Sequence, residues 1–241
     1  MKSLTLSLMM LLVAAPALAA DPTPEQLLAT YDAAMAPDTY DSQAEMTSFR
    51  EDGTQRTYAM RMLKAQDEKY RVWFTSPSSV KGQEILRSGQ NMWVYLPNLK
   101  RATRIANRDS FQGGDFNNAD ILRVNYSKDY AAKLVPSTLA DTWALELKAK
   151  NPDTAYDSIK LWVRKSDGLP VKGQYYGTSG QLQRSAEFSD YQELDKGYTR
   201  PTKVTMKNEL VKTRRSELLF KSLKRNVEIP AQRFTQSDLG K

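Results

Sequence analysis

From about residue 46 to residue 223 the chain alternates apolar and polar residues in short runs, and turn signals separate the runs. Tyr58, Met60 and Met62 alternate with Ala59 and Arg61, and Tyr70, Val72 and Phe74 alternate with Arg71 and Trp73. Trp143, Leu145 and Leu147 repeat the pattern, as do Ile159, Leu161 and Val163. A period of two places alternate side chains on opposite faces of a strand. Turns are read at Ser88-Gly89-Gln90-Asn91, Asn151-Pro152-Asp153, Ser166-Asp167-Gly168, Thr178-Ser179-Gly180 and Asp195-Lys196-Gly197. The spacing predicts roughly ten or eleven strands joined as hairpins, with no helices interleaved between them. The fold class is mainly β (α+β): a large curved antiparallel sheet or barrel, each strand having one apolar and one wet face.

Two segments depart from that pattern. Thr23-Pro24-Glu25-Gln26 opens a helix with a capping threonine, proline at the first position and glutamine three residues after the cap. Leu27, Leu28, Tyr31, Ala34 and Met35 then share one face, and Pro37 ends the helix. In mid-chain, residues 107–118 hold Gly113-Gly114 between Phe111 and Phe116, and residues 119–124 carry Ile121, Leu122 and Val124 at short-helix spacing. A sheet with one apolar face needs a cover, and these two segments are the candidates for it.

Composition narrows the chemistry. The chain has 241 residues, 40% apolar and 26% charged, which is globular rather than disordered. It contains no histidine and no cysteine. Triad hydrolases and zinc sites built on histidine or cysteine are therefore excluded, as are disulfides. No nucleotide-binding glycine motif is present and no carboxylate pair stands out, so no enzyme activity, cofactor or metal is expected. The net charge is +7. No basic run resembles a recognition helix, so nucleic acid is not the expected partner; an anionic lipid surface fits the charge better, and a merely solvated basic surface fits it equally.

The first residues read as a secretory signal peptide over 1–19: Lys2, a short apolar run from Leu4 to Val13, and the exit Ala17-Leu18-Ala19. Cleavage is expected after Ala19, with Ala20 as the rival. The apolar run is too short to span a bilayer. The absent cysteine rules out lipid attachment. The expectation is a periplasmic, monomeric protein with a single domain over residues 20–241.

An ordered block of residues then carries a resemblance. Pro77-Ser78-Ser79-Val80-Lys81-Gly82-Gln83-Glu84-Ile85-Leu86 precedes Trp93-Val94-Tyr95-Leu96-Pro97. Lys100-Arg101, Arg104-Ile105, Ser110-Phe111, Gly113-Gly114-Asp115-Phe116 and Asp120-Ile121-Leu122 follow in order. Weaker elements are Leu161-Trp162-Val163, Leu169-Pro170, Tyr198 to Pro201, and an ending with Ile229-Pro230, Phe234 and Leu239. This set resembles the outer-membrane lipoprotein-sorting family, the LolA/LolB-like superfamily of periplasmic lipoprotein carriers.

The resemblance implies a half-open β-barrel, with helices as a lid over an apolar cavity for the acyl chains of lipids or lipoproteins. It implies a soluble carrier in lipoprotein transport to the outer membrane, with an inner-membrane transporter or an outer-membrane acceptor as further partners. A periplasmic adaptor of an RND- or MMPL-type lipid-export transporter, holding no lipid itself, stays open as the alternative. Candidate cavity residues are Trp73, Trp93, Tyr95, Leu96, Phe111, Phe116, Ile121 and Leu122; an ordinary filled core is the competing role for each. Lys100, Arg101, Arg104 and Arg108 are candidates for headgroup or partner contact, or form a solvated strand face.

Overall fold

The computed structural model describes residues 21–66, 68–122 and 125–241. The proposed signal peptide, and Val124 of the expected mid-chain helix, lie outside the described residues.

Helix α1 (Pro24–Met35) starts at the capping box the sequence predicts: Thr23 Oγ1 accepts from the Gln26 amide, and Gln26 Oε1 accepts from the Thr23 amide at 2.9 Å. Six strands follow: β1 (Tyr40–Phe49), β2 (Gln55–Ala65), β3 (Lys69–Ser76), β4 (Glu84–Ser88), β5 (Asn91–Leu96) and β6 (Arg101–Ile105). Two short helices come next, α2 (Asn118–Leu122) and α3 (Tyr126–Asp129). Seven more strands complete the chain: β7 (Tyr130–Val135), β8 (Thr142–Ala149), β9 (Ser158–Arg164), β10 (Pro170–Tyr176), β11 (Leu182–Asp195), β12 (Tyr198–Asn208) and β13 (Arg215–Arg225).

All thirteen strands form one sheet, in the order β6-β5-β4-β3-β2-β1-β13-β12-β11-β10-β9-β8-β7. It consists of two antiparallel meanders joined at the centre, where β1 pairs with β13 and Met46 faces Leu218 across the ladder. The outermost strands, β6 and β7, do not pair with each other, so the sheet stays open. This is the mainly β architecture expected, with thirteen strands in place of ten or eleven.

The two unexpected strands are the two edges. Only Ala102 and Ile105 of β6 are partly buried, and β7 is mostly exposed beyond Tyr130. An edge strand half out of the core needs no strict alternation, and its charged side chains protect a bare backbone edge. The Lys100-Arg101 and Arg104 run therefore forms a strand without advertising one.

The topology leaves residues 106–129 to run from one edge of the sheet to the other. Of these, residues 106–122 and 125–129 are described and lie over the inner face, the face on which Met46, Met60, Val72, Leu145, Leu161, Met206 and Leu218 are buried. Just beyond β6, Arg108 donates to the carbonyls of Thr154 and Pro152, both at 2.8 Å, in the turn after β8. Asn107 accepts from Arg87 on β4 at 3.2 Å and donates to the Asp153 carbonyl at 3.1 Å. These bonds bring the two sides of the open sheet to the same end of the covering segment.

The outer face was expected to be wet, and over β2 to β5 it is not. Leu63, Leu86 and Phe234 form a second apolar cluster there, with Trp73, Trp93, Ile229 and Leu239 packed on it. The C-terminal residues 229–240 lie across these strands as a strap. Arg71, fully buried on the same face, donates to Glu84 at 2.8 Å and to the carbonyls of Arg233 at 2.7 Å and Asp238 at 2.9 Å. A buried guanidinium is tolerable only when its donors are filled, and here the strap fills them.

Candidate functional site

The inner face is roofed by α1 and by the crossing segment. Helix α1 buries Leu27, Leu28, Tyr31, Ala34 and Met35, the face read from its spacing. Its C-terminal end, where backbone carbonyls lack helical partners and carry partial negative charge, is gripped from the sheet. Tyr198 donates its hydroxyl to the Ala34 carbonyl at 2.5 Å, and Arg200 reaches the Met35 carbonyl at 3.2 Å. Lys64 Nζ donates to the carbonyls of Ala36 at 2.9 Å and Pro37 at 2.6 Å. Asp32 accepts from the backbone amides of Tyr126 and Ser127, both at 2.8 Å, and Tyr31 stacks on Tyr126 with ring centres 5.0 Å apart. Burial pushes the Asp32 carboxyl up, and its bonds to Ser127 and Tyr126 oppose that.

The crossing segment is anchored at Asp115, which is buried. Its carboxylate accepts from Asn208 Nδ2 at 2.9 Å and from Ser216 Oγ at 3.2 Å, and its own amide donates to Ser216 Oγ at 2.9 Å. Gly114 sits against β1 and β13 so closely that a Cβ there would lie 2.7 Å from Ser48 Oγ and 3.0 Å from Ser216 Oγ. Gly113 has a φ of +72°, which a side chain disfavours. The glycine pair thus brings the roof backbone down onto the central strands. Phe111, on one side of it, packs on Phe74 with ring centres 5.7 Å apart.

Between roof and sheet lies a cavity of about 40 Å³, lined among others by Tyr31, Phe116, Asp120, Tyr126, Tyr175 and Arg200. Such a space is far below the ~300–1,000 Å³ of a ligand pocket. At this point the apolar interior is nearly filled. Two charged side chains reach this small space. Asp120 accepts from the Tyr156 hydroxyl at 2.9 Å and the Asn117 amide at 2.7 Å, and burial pushes its carboxyl up to about 6. Arg200 is 1% exposed and lies over the Phe220 ring at 4.0 Å.

The eight apolar candidates divide between the two faces. Phe111, Phe116, Ile121 and Leu122 are buried together under the roof, and Phe116 and Ile121 line the cavity. Trp73 and Trp93 pack on the outer cluster instead, because they occupy the other phase of the alternation from Phe74 and Met92. Tyr95 shares the phase of Trp93, and Gly240 of the strap packs against its ring. Leu96, at the end of β5, is partly buried.

The basic candidates also separate. Lys100, Arg101 and Arg104 are exposed at the β6 edge, where Arg104 bonds to Asn91. Arg108 is committed to the carbonyls of the β8–β9 turn.

Asp120 and Arg200 were missed as cavity groups. For Arg200 a signal was available: it takes the inward phase of Tyr198, Thr202, Val204 and Met206, where a cation is out of place.

Three solved structures share this architecture. A LolA superfamily protein from Nitrosomonas europaea superposes with a TM-score of 0.82 at 26% identity, covering 90% of this chain and 99% of that one. The chain belongs to the LolA superfamily. A putative outer membrane lipoprotein-sorting protein domain from Vibrio parahaemolyticus has a TM-score of 0.80 at 22% identity, over 90% of this chain and 98% of that one. A DUF1329 family protein from Desulfovibrio piger has a TM-score of 0.80 at 24% identity, over 90% and 97%. A family model described only as an uncharacterized protein matches residues 66–241 of this LolA-superfamily chain. No curated protein matches it. Among the described residues no helix is long and apolar enough to cross a membrane, and no cluster of acidic side chains is arranged to hold a metal ion.

Proposed function

We propose that this protein is a periplasmic carrier that holds the acyl chains of a lipid or lipoprotein between α1 and the sheet, in the sorting of lipoproteins to the outer membrane. The observation that carries this reading is a helical roof laid over a continuous apolar face. Helix α1 is gripped through a few polar bonds at its C-terminal end and through Asp32 to α3, while the rest of its contact is apolar packing against α3, β7 and β12. Apolar packing is exchangeable for any other apolar partner. The lipoprotein-sorting name of the Vibrio parahaemolyticus domain supports the same reading.

An acyl chain leaving water gains about 0.8 kcal/mol per methylene. A long chain would then bind too tightly to be handed on unless something opposes it. The closed roof supplies the opposition, because cargo must displace contacts already made, and transfer becomes an exchange of apolar partners between carrier, donor and acceptor. No bond chemistry is needed.

One observation favours a second reading. With only about 40 Å³ free, the interior is close to an ordinary core, as in an adaptor that docks on a lipid-export transporter and carries nothing. Purification from the host periplasm, solvent extraction and mass spectrometry distinguish the two. The carrier is expected to hold stoichiometric lipid or to take up a fluorescent fatty acid; no lipid and no uptake would leave the adaptor.

A further inference from the structure

Arg200 is a cation inside an apolar chamber, and among the described residues no carboxylate pairs with it. Its polar partners are backbone carbonyls: Met35 at 3.2 Å, at the end of α1, and Pro201 at 3.3 Å. The Tyr198 hydroxyl, itself bonded to the roof, is the neutral side-chain group beside it, and the guanidinium lies over the face of Phe220. Elsewhere in this protein the buried guanidiniums of Arg71 and Arg87 each have a carboxylate, from Glu84 and Glu68. Asp120 lines the same cavity but is bonded to Tyr156 and Asn117.

The Met35 carbonyl belongs to the roof. If α1 lifts to admit cargo, Arg200 loses that acceptor while its surroundings stay apolar. A buried cation stripped of a partner is strongly unfavourable, and an anion delivered to the same place removes the penalty. A neutral amphiphile brings no such compensation.

Resting on the carrier reading above, we propose that Arg200 is the headgroup site of the chamber and that the cargo is an anionic amphiphile, its carboxylate or phosphate paired with the Arg200 guanidinium. The acyl chain extends from there beneath α1, along the apolar strands. Asp120 sets the polarity of the site, since its carboxylate repels an anion at its own end of the cavity.

The full chain, stripped of bound lipid, is loaded with the neutral fluorophore N-phenyl-1-naphthylamine. Hexadecanoate, hexadecyl phosphate, methyl hexadecanoate and hexadecanol, each below its micellar concentration, then compete for the site. The two anions are expected to bind about tenfold or more tightly than the two neutral compounds, the scale of one charge-assisted bond. The tighter of the two anions identifies the source as a fatty acid or a phosphate-headed lipid. Arg200→Met is expected to bind acid and ester alike, and Arg200→Lys to keep the preference. Equal binding of acid and ester by the unaltered protein, or an unchanged preference in Arg200→Met, overturns the proposal while leaving a carrier. Failure to bind the fluorophore and all four amphiphiles overturns the carrier reading itself.

Should Arg200→Met not fold, the carboxyl ¹³C resonance of labelled hexadecanoate bound to the unaltered protein decides. A carboxylate paired with Arg200 stays ionised below the titration range of the free acid. One buried without a partner titrates above that range, which overturns the pairing.

Discussion

Gly168, in the turn between β9 and β10, lies so close to α1 that a Cβ built on it would sit 3.4 Å from the Cβ of Thr30. That is near the ~3.5–4.5 Å between the Cβ atoms of a disulfide, and the chain has no cysteine to interfere. The Thr30→Cys/Gly168→Cys variant should oxidise to a single cross-link that pins the roof to the sheet. The φ of +71° at Gly168 makes that substitution cost about 1–2 kcal/mol, which the cross-link offsets. Fluorescent fatty-acid uptake is expected to be lost on oxidation and restored by reductant. Equal uptake in both states would mean that α1 is not the gate.

The bond between Asp115 and Asn208 holds the middle of the roof. Asp115→Ala leaves Asn208 and Ser216 without their buried partner and should destabilise the protein by about 2–4 kcal/mol. Asp115→Asn retains one acceptor and should cost less. The shift in urea midpoint at constant slope measures both.

Asp120 gives a signed pH dependence. Its carboxyl titrates near 6 in the folded protein against an ordinary 3.8, so the folded state binds the proton more tightly than the unfolded state. Its ionisation therefore costs stability above pH 6, and that cost disappears as pH falls from 6 toward 3.8, about 3 kcal/mol across the window. Asp120→Asn keeps an acceptor for Tyr156 and lacks the titration. The difference in melting temperature between the two proteins should favour the variant at pH 7.5 and shrink steadily toward pH 4.5. A difference independent of pH would assign the site an ordinary carboxyl.

Phe234 is the apolar anchor of the C-terminal strap, 3% exposed between Leu63 and Leu86. Phe234→Ala should cost about 3–5 kcal/mol if the strap stays seated. If the strap detaches, Trp73 and Trp93 become wet, and the emission maximum should move to longer wavelength before the sheet melts. Tryptophan fluorescence and far-ultraviolet circular dichroism, followed together through a urea titration, distinguish the two.

The inner strands and α1 were legible because burial imposes a period: Tyr58, Met60 and Met62 face the core in β2 just as they alternate in the sequence. Strands β6 and β7 were not, because exposure at an edge relaxes that constraint. Trp73 and Trp93 have the aromatic character expected of a cavity wall, whereas their phase against Phe74 and Met92 puts them under the strap. The strap itself was hidden because pairing Arg71 with Asp238 and Arg233 needs residues far apart in the chain. Arg200 was passed over because a strand full of polar residues invites the reading that every polar position is wet.

The pairing of β1 with β13 has a consequence for how the molecule is made. Tyr40 lies opposite Arg225, so about three quarters of the chain separates the two halves of the central ladder. Contacts that distant form slowly, because loop closure must precede them. Until β13 is in place, the β1 edge of the first meander has no partner. On the proposal of an exported carrier, a polypeptide still threading through a translocation pore would hold one half of that ladder without the other, and its sheet would close only after passage.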